Sequence, residues 1–200
     1  MTAAVHLVAP ELIERHDLTV DDVANLPDEL HYELIDGRLV LTPAALPIHQ
    51  NIGANILHAL KLHAPRSHYV SLDQSVALGR NNERRPDVVA LRVQGATRTP
   101  VRVSDVCLVV EIVSRSSRVI DNDTKMKAYA YAGIPTYWIV DPLGEWVTFT
   151  EFILGPGGDY RRGLHTDKRV TLERPWAVTL DPPAWTDERN WLEENSRPGE

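Results

Sequence analysis

The chain has 200 residues, of which 43% are hydrophobic, and this size and composition suit one domain over residues 1–200. No segment approaches the roughly 20 apolar residues that cross a bilayer, and the N-terminus has no basic and apolar leader, so we expect a cytoplasmic protein without a membrane partner. The net charge of −7 argues against broad attraction to nucleic acid, and the single cysteine, Cys107, excludes an internal disulfide.

The first predicted elements are a short helix and a β-hairpin. Thr19 to Leu26 has a suitable N-cap in Thr19 and a proline directly after it. Tyr32 to Leu41 alternates about Asp36-Gly37, which favours a two-residue type I′ turn because glycine tolerates positive φ. Pairing across this turn leaves Glu33 beside Val40 on one face. The opposite face carries Tyr32, Leu34, Leu39 and Leu41.

The rest of the chain alternates helix and strand signals. Ile48 to Leu62 has apolar residues at helical spacing, and Asp121 to Ala132 indicates a helix that Gly133 ends. From Tyr160 the chain is rich in proline and tryptophan, and we expect an edge strand and a packed tail. Strands are predicted at Val70–Leu78, Asp87–Val93, Val106–Val113, Thr136–Val140 and Glu145–Leu154. This order predicts an α/β fold with a central mixed β-sheet flanked by helices.

Two carboxylates stand on strands where acids are unusual. Asp87 opens one strand, and Glu111 interrupts the apolar run from Val106 to Val113. A carboxylate in such a run costs several kcal/mol unless it is paired, protonated or bound to metal. Two carboxylates on neighbouring strands can converge on one divalent cation, which prefers oxygen ligands. The pattern is typical of phosphodiester hydrolysis.

A hydrolase of this kind also needs a cation near the phosphate, and Lys125 can supply it. Lys125 lies on the helix that follows the Glu111 strand, where Asp121, Lys125 and Tyr129 share one face at i, i+4 spacing. Judged by spacing alone, an ordinary surface ion pair between Asp121 and Lys125 is the more frequent explanation.

Basic residues near these acids offer candidate contacts to phosphate. The arginines could form a local basic groove, or they could be a solvated charged surface. His49 could position a phosphate, although a lone histidine on a helix is more often a satisfied or exposed residue. The arginines in question are Arg80, Arg84, Arg85, Arg115 and Arg118.

Six fragments in this order resemble the Uma2 family, over about residues 20–180. They are Tyr32-Glu-Leu-Ile-Asp-Gly, His49, Pro86-Asp87, Val110-Glu-Ile-Val-Ser114, Asp121 with Lys125, and Gly133-Ile-Pro-Thr-Tyr-Trp-Ile-Val-Asp-Pro142. Uma2 proteins are assigned to the PD-(D/E)XK nuclease superfamily. The resemblance therefore implies a restriction-endonuclease-like fold.

The resemblance also implies roles for individual residues. Asp87 and Glu111 would be the acids that bind Mg²⁺ or Mn²⁺, and Glu33 would be an additional active-site acid. In the superfamily pattern a lysine follows the second acid by two residues, and Val113 stands there in this chain. Lys125 on the helix would be its substitute. Arg115 stands where the family often has proline, and with Arg118 and His49 it is a candidate substrate contact.

These observations predict a divalent-metal-dependent DNA endonuclease with Glu33, Asp87, Glu111 and Lys125 as catalytic residues. One alternative is a non-catalytic DNA-binding or assembly module that keeps the nuclease fold. Another is a protein-interaction role for the tryptophan-rich tail, with homodimerisation through edge strands. We also expect Glu111→Gln to leave stability unchanged or raised in metal-free buffer, because it would remove buried like-charge repulsion.

Overall fold

The computed structural model describes residues 10–27, 30–114 and 120–196, with side chains from residue 12 onward except those of residues 120–122. Within these ranges the helices are α1 Pro10–Glu14, α2 Val20–Val23, α3 Pro47–Leu62, α4 Met126–Tyr131 and α5 Pro182–Asn195. A π-helical segment, Ile120–Lys125, leads directly into α4. No helix in the described ranges is long and apolar enough to cross a membrane.

Thirteen strands in the described ranges form three sheets. The first seven strands are β1 Tyr32–Ile35, β2 Arg38–Leu41, β3 His68–Leu72, β4 Val76–Gly79, β5 Asn82–Arg84, β6 Val88–Arg92 and β7 Val101–Arg102. The remaining six are β8 Val106–Ile112, β9 Thr136–Asp141, β10 Thr148–Leu154, β11 Tyr160–Thr166, β12 Val170–Leu172 and β13 Val178–Leu180.

A six-stranded sheet in the order β11-β10-β9-β8-β6-β3 forms the centre of the molecule. The β8–β9 pair is parallel and the other pairs are antiparallel, so the predicted mixed sheet is confirmed. A second sheet has the order β2-β1-β5-β4-β7, and β12 pairs with β13. Strand β6, which directly follows Asp87, and β8, which contains Glu111, are neighbours, with Val88 opposite Val110.

Both faces of the central sheet are covered, as the apolar run in β8 predicts. Alternation along β8 sends Leu108 and Val110 into a core shared with α3 and α5. Val109 lies in a second core with Tyr129 of α4 and residues of the smaller sheet. Glu111 has the same parity as Val109, so its side chain points to the α4 face.

The predicted hairpin is confirmed, and the helix predicted from Thr19 to Leu26 is present as the shorter α2, Val20–Val23. Asp36 and Gly37 have φ values of 48° and 78°, as a type I′ turn requires, and Glu33 lies opposite Val40. A Cβ at Gly37 would approach the His16 carbonyl oxygen to 2.8 Å, so glycine is also needed for packing. Thr19 caps α2 in a capping box with Asp22.

The segment from Val70 to Leu78, predicted as one strand, is two strands in different sheets. The chain leaves β3 after Leu72 and enters the smaller sheet at Val76. Asp73 has a φ of 48°, which breaks the extended conformation at a residue type that tolerates positive φ. The short polar strand β5 was not predicted, because three residues carry no usable periodicity.

The C-terminal part is more regular than predicted. The edge strand from Tyr160 is confirmed as β11, but the tail contains the β12–β13 hairpin and the 14-residue helix α5. Asp181 caps α5 by accepting from the Ala184 amide, and the first helical positions are Pro182 and Pro183. An N-cap aspartate followed by proline is a helix-start signal, so this sequence pattern could have predicted α5.

Arg189 fastens α5 to the loop that precedes β10. Its guanidinium is buried and donates to the carbonyl oxygens of Pro142, Gly144 and Glu145 at 2.6–2.7 Å. We expect Arg189→Met to lower the free energy of unfolding by about 3 kcal/mol, because charge-assisted bonds to buried carbonyls are lost together. Urea denaturation measures this loss.

The matched control is Arg169→Met. Arg169 is 71% exposed and lies 3.8 Å from the carboxylate of Asp181, so its removal should cost less than about 1 kcal/mol. Equal losses for the two variants would show that Arg189 does not fasten the helix.

Candidate active site

The candidate site lies where β1, β6, β8, α3 and the helical segment after β8 meet. Glu111 of β8 is 2% exposed. Lys125 Nζ donates to its Oε2 at 2.7 Å, and the Tyr129 hydroxyl donates to its Oε1 at 2.6 Å. The compensation that a carboxylate in an apolar strand requires is therefore provided by one cation and one hydroxyl.

Tyr129 is fully buried beside this carboxylate. Burial, and then the neighbouring charges of Glu111 and Glu33, raise the pKa of Tyr129 well above its ordinary value. The hydroxyl therefore keeps its proton at neutral pH and remains a donor to Glu111. The sequence placed Tyr129 on the same helical face as Lys125, but it assigned no role to this residue.

Lys125 bridges two acids. Its Nζ lies 2.7 Å from Glu111 Oε2 and 3.7 Å from Glu33 Oε1, and its side chain is 12% exposed. The π-helical geometry of the preceding residues and the alternation of β8 aim both side chains at the same space. Lys125 is thus a buried partner of the predicted acids. The proposed pairing with Asp121 lies outside the described side chains.

Glu33 of β1 is held by the chain just before Asp87. Arg84 Nη1 donates to Glu33 Oε2 at 3.2 Å, and the Arg85 amide donates to Oε1 at 3.1 Å. Both Glu33 and Arg84 are buried. Arg84 therefore fits neither of the two alternatives, a basic groove or a solvated surface, because its guanidinium is buried against an acid of the site.

Asp87 and His49 meet at the backbone of Ile112. The Ile112 amide donates to Asp87 Oδ2 at 2.6 Å. His49 Nε2 lies 2.8 Å from the Ile112 carbonyl oxygen and 3.3 Å from Asp87 Oδ2. A proton on Nε2 would be donated to this carbonyl. The structure thus brings His49 to the predicted acids, through the residue that follows Glu111.

The residues that could hold a divalent cation are Asp87 and Glu111. Asp87 is 25% exposed on its side chain, and its contacts with described residues use Oδ2. No group of three or more His, Cys, Asp or Glu side chains in the described part of the chain could hold a metal by itself. A cation would therefore need further oxygen ligands, such as a backbone carbonyl or water.

Three further arginines were candidate contacts to phosphate. Arg115 and Arg118 lie outside the described residues. Arg80 is exposed, and its carbonyl oxygen accepts from the Val20 amide of α2. Among the arginines of the predicted groove that the structure describes, Arg85 alone lies beside the acids and has a partly exposed side chain.

Comparison with known proteins gives a family match and a structural match. The family model described as "Uma2: Putative restriction endonuclease" matches residues 19–179. A crystal structure described as a putative nuclease belonging to DUF820, from Anabaena variabilis ATCC 29413, superposes with a TM-score of 0.66 at 16% identity. The match covers 84% of this chain and 99% of the other. No curated protein matches the chain. The predicted restriction-endonuclease-like fold is confirmed.

Proposed function

Because this chain belongs to the Uma2 family of putative restriction endonucleases, we propose that it is a DNA endonuclease that depends on Mg²⁺ or Mn²⁺. The observation that carries the proposal is the position of Lys125, which lies between the buried carboxylates Glu33 and Glu111. Asp87 directly precedes β6, the strand that pairs with the strand of Glu111. Two acids and a lysine in one site are the groups that phosphodiester hydrolysis needs.

The donor set suits a hard cation. Asp87 and Glu111 supply carboxylate oxygens. The backbone carbonyl of Ile112, which lies beside Asp87 and His49, offers a third hard oxygen ligand. When bound, Mg²⁺ or Mn²⁺ would polarise the phosphodiester and lower the pKa of a coordinated water. Engaged by Lys125 and Tyr129, both oxygens of Glu111 are held in a defined orientation.

The protein's own groups have separate tasks in this proposal. Lys125 stabilises the negative charge that develops on the phosphate oxygens, or orients the attacking water. Glu33, fixed by Arg84 and by the Arg85 amide, lies 3.7 Å from the ammonium group of Lys125 and helps to keep it in place. His49 contacts both the Ile112 carbonyl oxygen and Asp87 and fixes their relative positions. Mostly buried, these groups exclude bulk water and keep the electrostatic interactions strong.

Cleavage of plasmid, linear and branched DNA with Mg²⁺, Mn²⁺ or EDTA tests the proposal. We expect products with either cation and none in EDTA. Intact DNA under every condition, together with metal-independent DNA binding, would support the alternative of a non-catalytic module.

A further inference from the structure

Beside the candidate site, three ionisable side chains form a group that no role described so far uses. The group, here called the rim, consists of His31, Asp73 and Arg85. Asp73 Oδ2 lies 3.4 Å from His31 Nδ1 and 3.6 Å from Arg85 Nη1. The side chains of His31 and Asp73 are about half exposed, whereas that of Arg85 is 19% exposed.

The rim is joined directly to two acids of the site. The Asp73 amide donates to the Asp87 carbonyl oxygen at 3.1 Å, and the Arg85 amide donates to Glu33 Oε1 at 3.1 Å. Alternation through β5 and the residue after it turns the Arg85 side chain away from the face on which Arg84 meets Glu33. Arg85 thus contributes its backbone to the site and its guanidinium to the neighbouring surface.

The guanidinium of Arg85 is incompletely satisfied. Its Nε is buried and has no hydrogen-bond partner among the residues that the structure describes. The distance to Asp73 is longer than the roughly 2.7–3.2 Å of an N–H···O hydrogen bond. The guanidinium also lies near the buried carboxyl of Glu83, but Asp73 is its one ion-pair partner among the described residues. A fork of five donors with one distant ion-pair partner retains capacity for a second anionic acceptor.

We propose that the rim binds a backbone phosphate of the DNA next to the scissile one, with Arg85 and His31 as its donors and with Asp73 as the anion that this phosphate displaces. The inference rests on the proposed nuclease function. A phosphodiester carries one negative charge and two terminal oxygens, like a carboxylate, so it can take the place of Asp73 at the same guanidinium. Asp73 then opposes binding by like-charge repulsion.

This arrangement predicts effects of opposite sign from two neighbouring residues. Arg85→Gln should weaken DNA binding about tenfold and lower the slope of log affinity against log salt by about one, because one phosphate contact is lost. Asp73→Asn should strengthen binding about threefold, because a like charge at the contact is removed. Asparagine also tolerates the positive φ at this position.

Fluorescence anisotropy of a short labelled duplex, titrated with the full-length protein in Ca²⁺ at several salt concentrations, measures both effects. Gel electrophoresis shows that the duplex stays intact. The matched controls are Arg162→Gln and Asp159→Asn, at exposed residues at the far edge of the central sheet. We expect neither control to change the affinity or the salt slope.

Several outcomes would overturn the inference. Equal DNA affinity of Arg85→Gln and Arg162→Gln would overturn it. DNA binding by Asp73→Asn that is as weak as that of Arg85→Gln would also overturn it, because Asp73 would then hold Arg85 in its binding position. If Arg85→Gln is unfolded by circular dichroism, the sign for Asp73→Asn decides alone. Thermal stabilisation by inorganic phosphate that Arg85→Gln abolishes, with unchanged DNA affinity, would indicate a free-anion site. Absence of DNA binding by every protein would overturn the proposed function as well.

Discussion

Lys125→Ala is expected to slow DNA cleavage about 100-fold, because loss of one preorganised charge-stabilising group costs about 3 kcal/mol in the transition state. The ammonium group lies between Glu33 and Glu111 and is mostly buried, so no solvated cation can take its place. Two buried carboxylates would then lack their shared cation, and stability should fall by about 3 kcal/mol. Single-turnover cleavage at saturating Mn²⁺ measures the rate, and circular dichroism confirms the folded fraction.

The matched control for this prediction is Lys127→Ala. Lys127 lies on α4, two residues after Lys125, and pairs with Asp123 at 3.0 Å, but both side chains are more than 70% exposed. Its removal should leave the cleavage rate within about twofold of the original value and the free energy of unfolding within about 1 kcal/mol of it. Near-normal cleavage by folded Lys125→Ala would remove Lys125 from the catalytic set.

Glu111→Gln is expected to weaken Mn²⁺ binding by at least about 100-fold, since an ionised ligand of the proposed site becomes a neutral amide. Calorimetric titration measures this affinity.

The structure also changes the expected effect of Glu111→Gln on stability in metal-free buffer, which the sequence alone predicted to be unchanged or raised. Glu111 accepts from Lys125 and from a tyrosine hydroxyl, and we expect the loss of these two bonds to outweigh the relief of repulsion between Glu111 and Glu33. Stability should instead fall by about 2 kcal/mol, because a buried charged hydrogen-bond acceptor is lost.

Glu151→Gln provides the comparison for Glu111→Gln. Glu151 is 8% exposed on β10 of the same sheet, two strands from Glu111. The variant changes a buried acid without touching the site, so Mn²⁺ affinity should stay at its original value. Equal metal binding by Glu111→Gln and the original protein would show that the site is assigned to the wrong residue.

The sequence predicted those parts of the fold that depend on interactions between residues close together in the chain. Asp36-Gly37 defined the hairpin and its register, because few residue pairs accept positive φ twice. The apolar run of β8 predicted a strand covered on both faces. The break at Asp73 was missed, since the chain changes sheets there and continues in extended conformation. Helix α5 was missed although Asp181 and Pro182 form a helix-start signal, because the prolines and tryptophans of this region were interpreted as an irregular tail.

The same distinction holds for the site. Glu111 in an apolar strand and Lys125 with Tyr129 on one helical face were visible as local oddities. Register then makes Asp87 and Glu111 neighbours. The link from Arg84 to Glu33 was not visible, because it joins residues 51 positions apart through a strand of three residues. An arginine in such a strand looks solvated until the opposing acid is in place.

The most direct test of the account is single-turnover cleavage of supercoiled plasmid in Mn²⁺ by Asp87→Asn, Glu111→Gln, Glu151→Gln and the original protein, prepared identically. The account predicts that the original protein and Glu151→Gln cleave at similar rates, and that the other two lose at least about 100-fold. Because all four proteins are prepared identically, a contaminating nuclease would cleave in every sample and would not produce this difference. Equal cleavage by all four proteins would contradict the assignment of catalysis to Asp87 and Glu111.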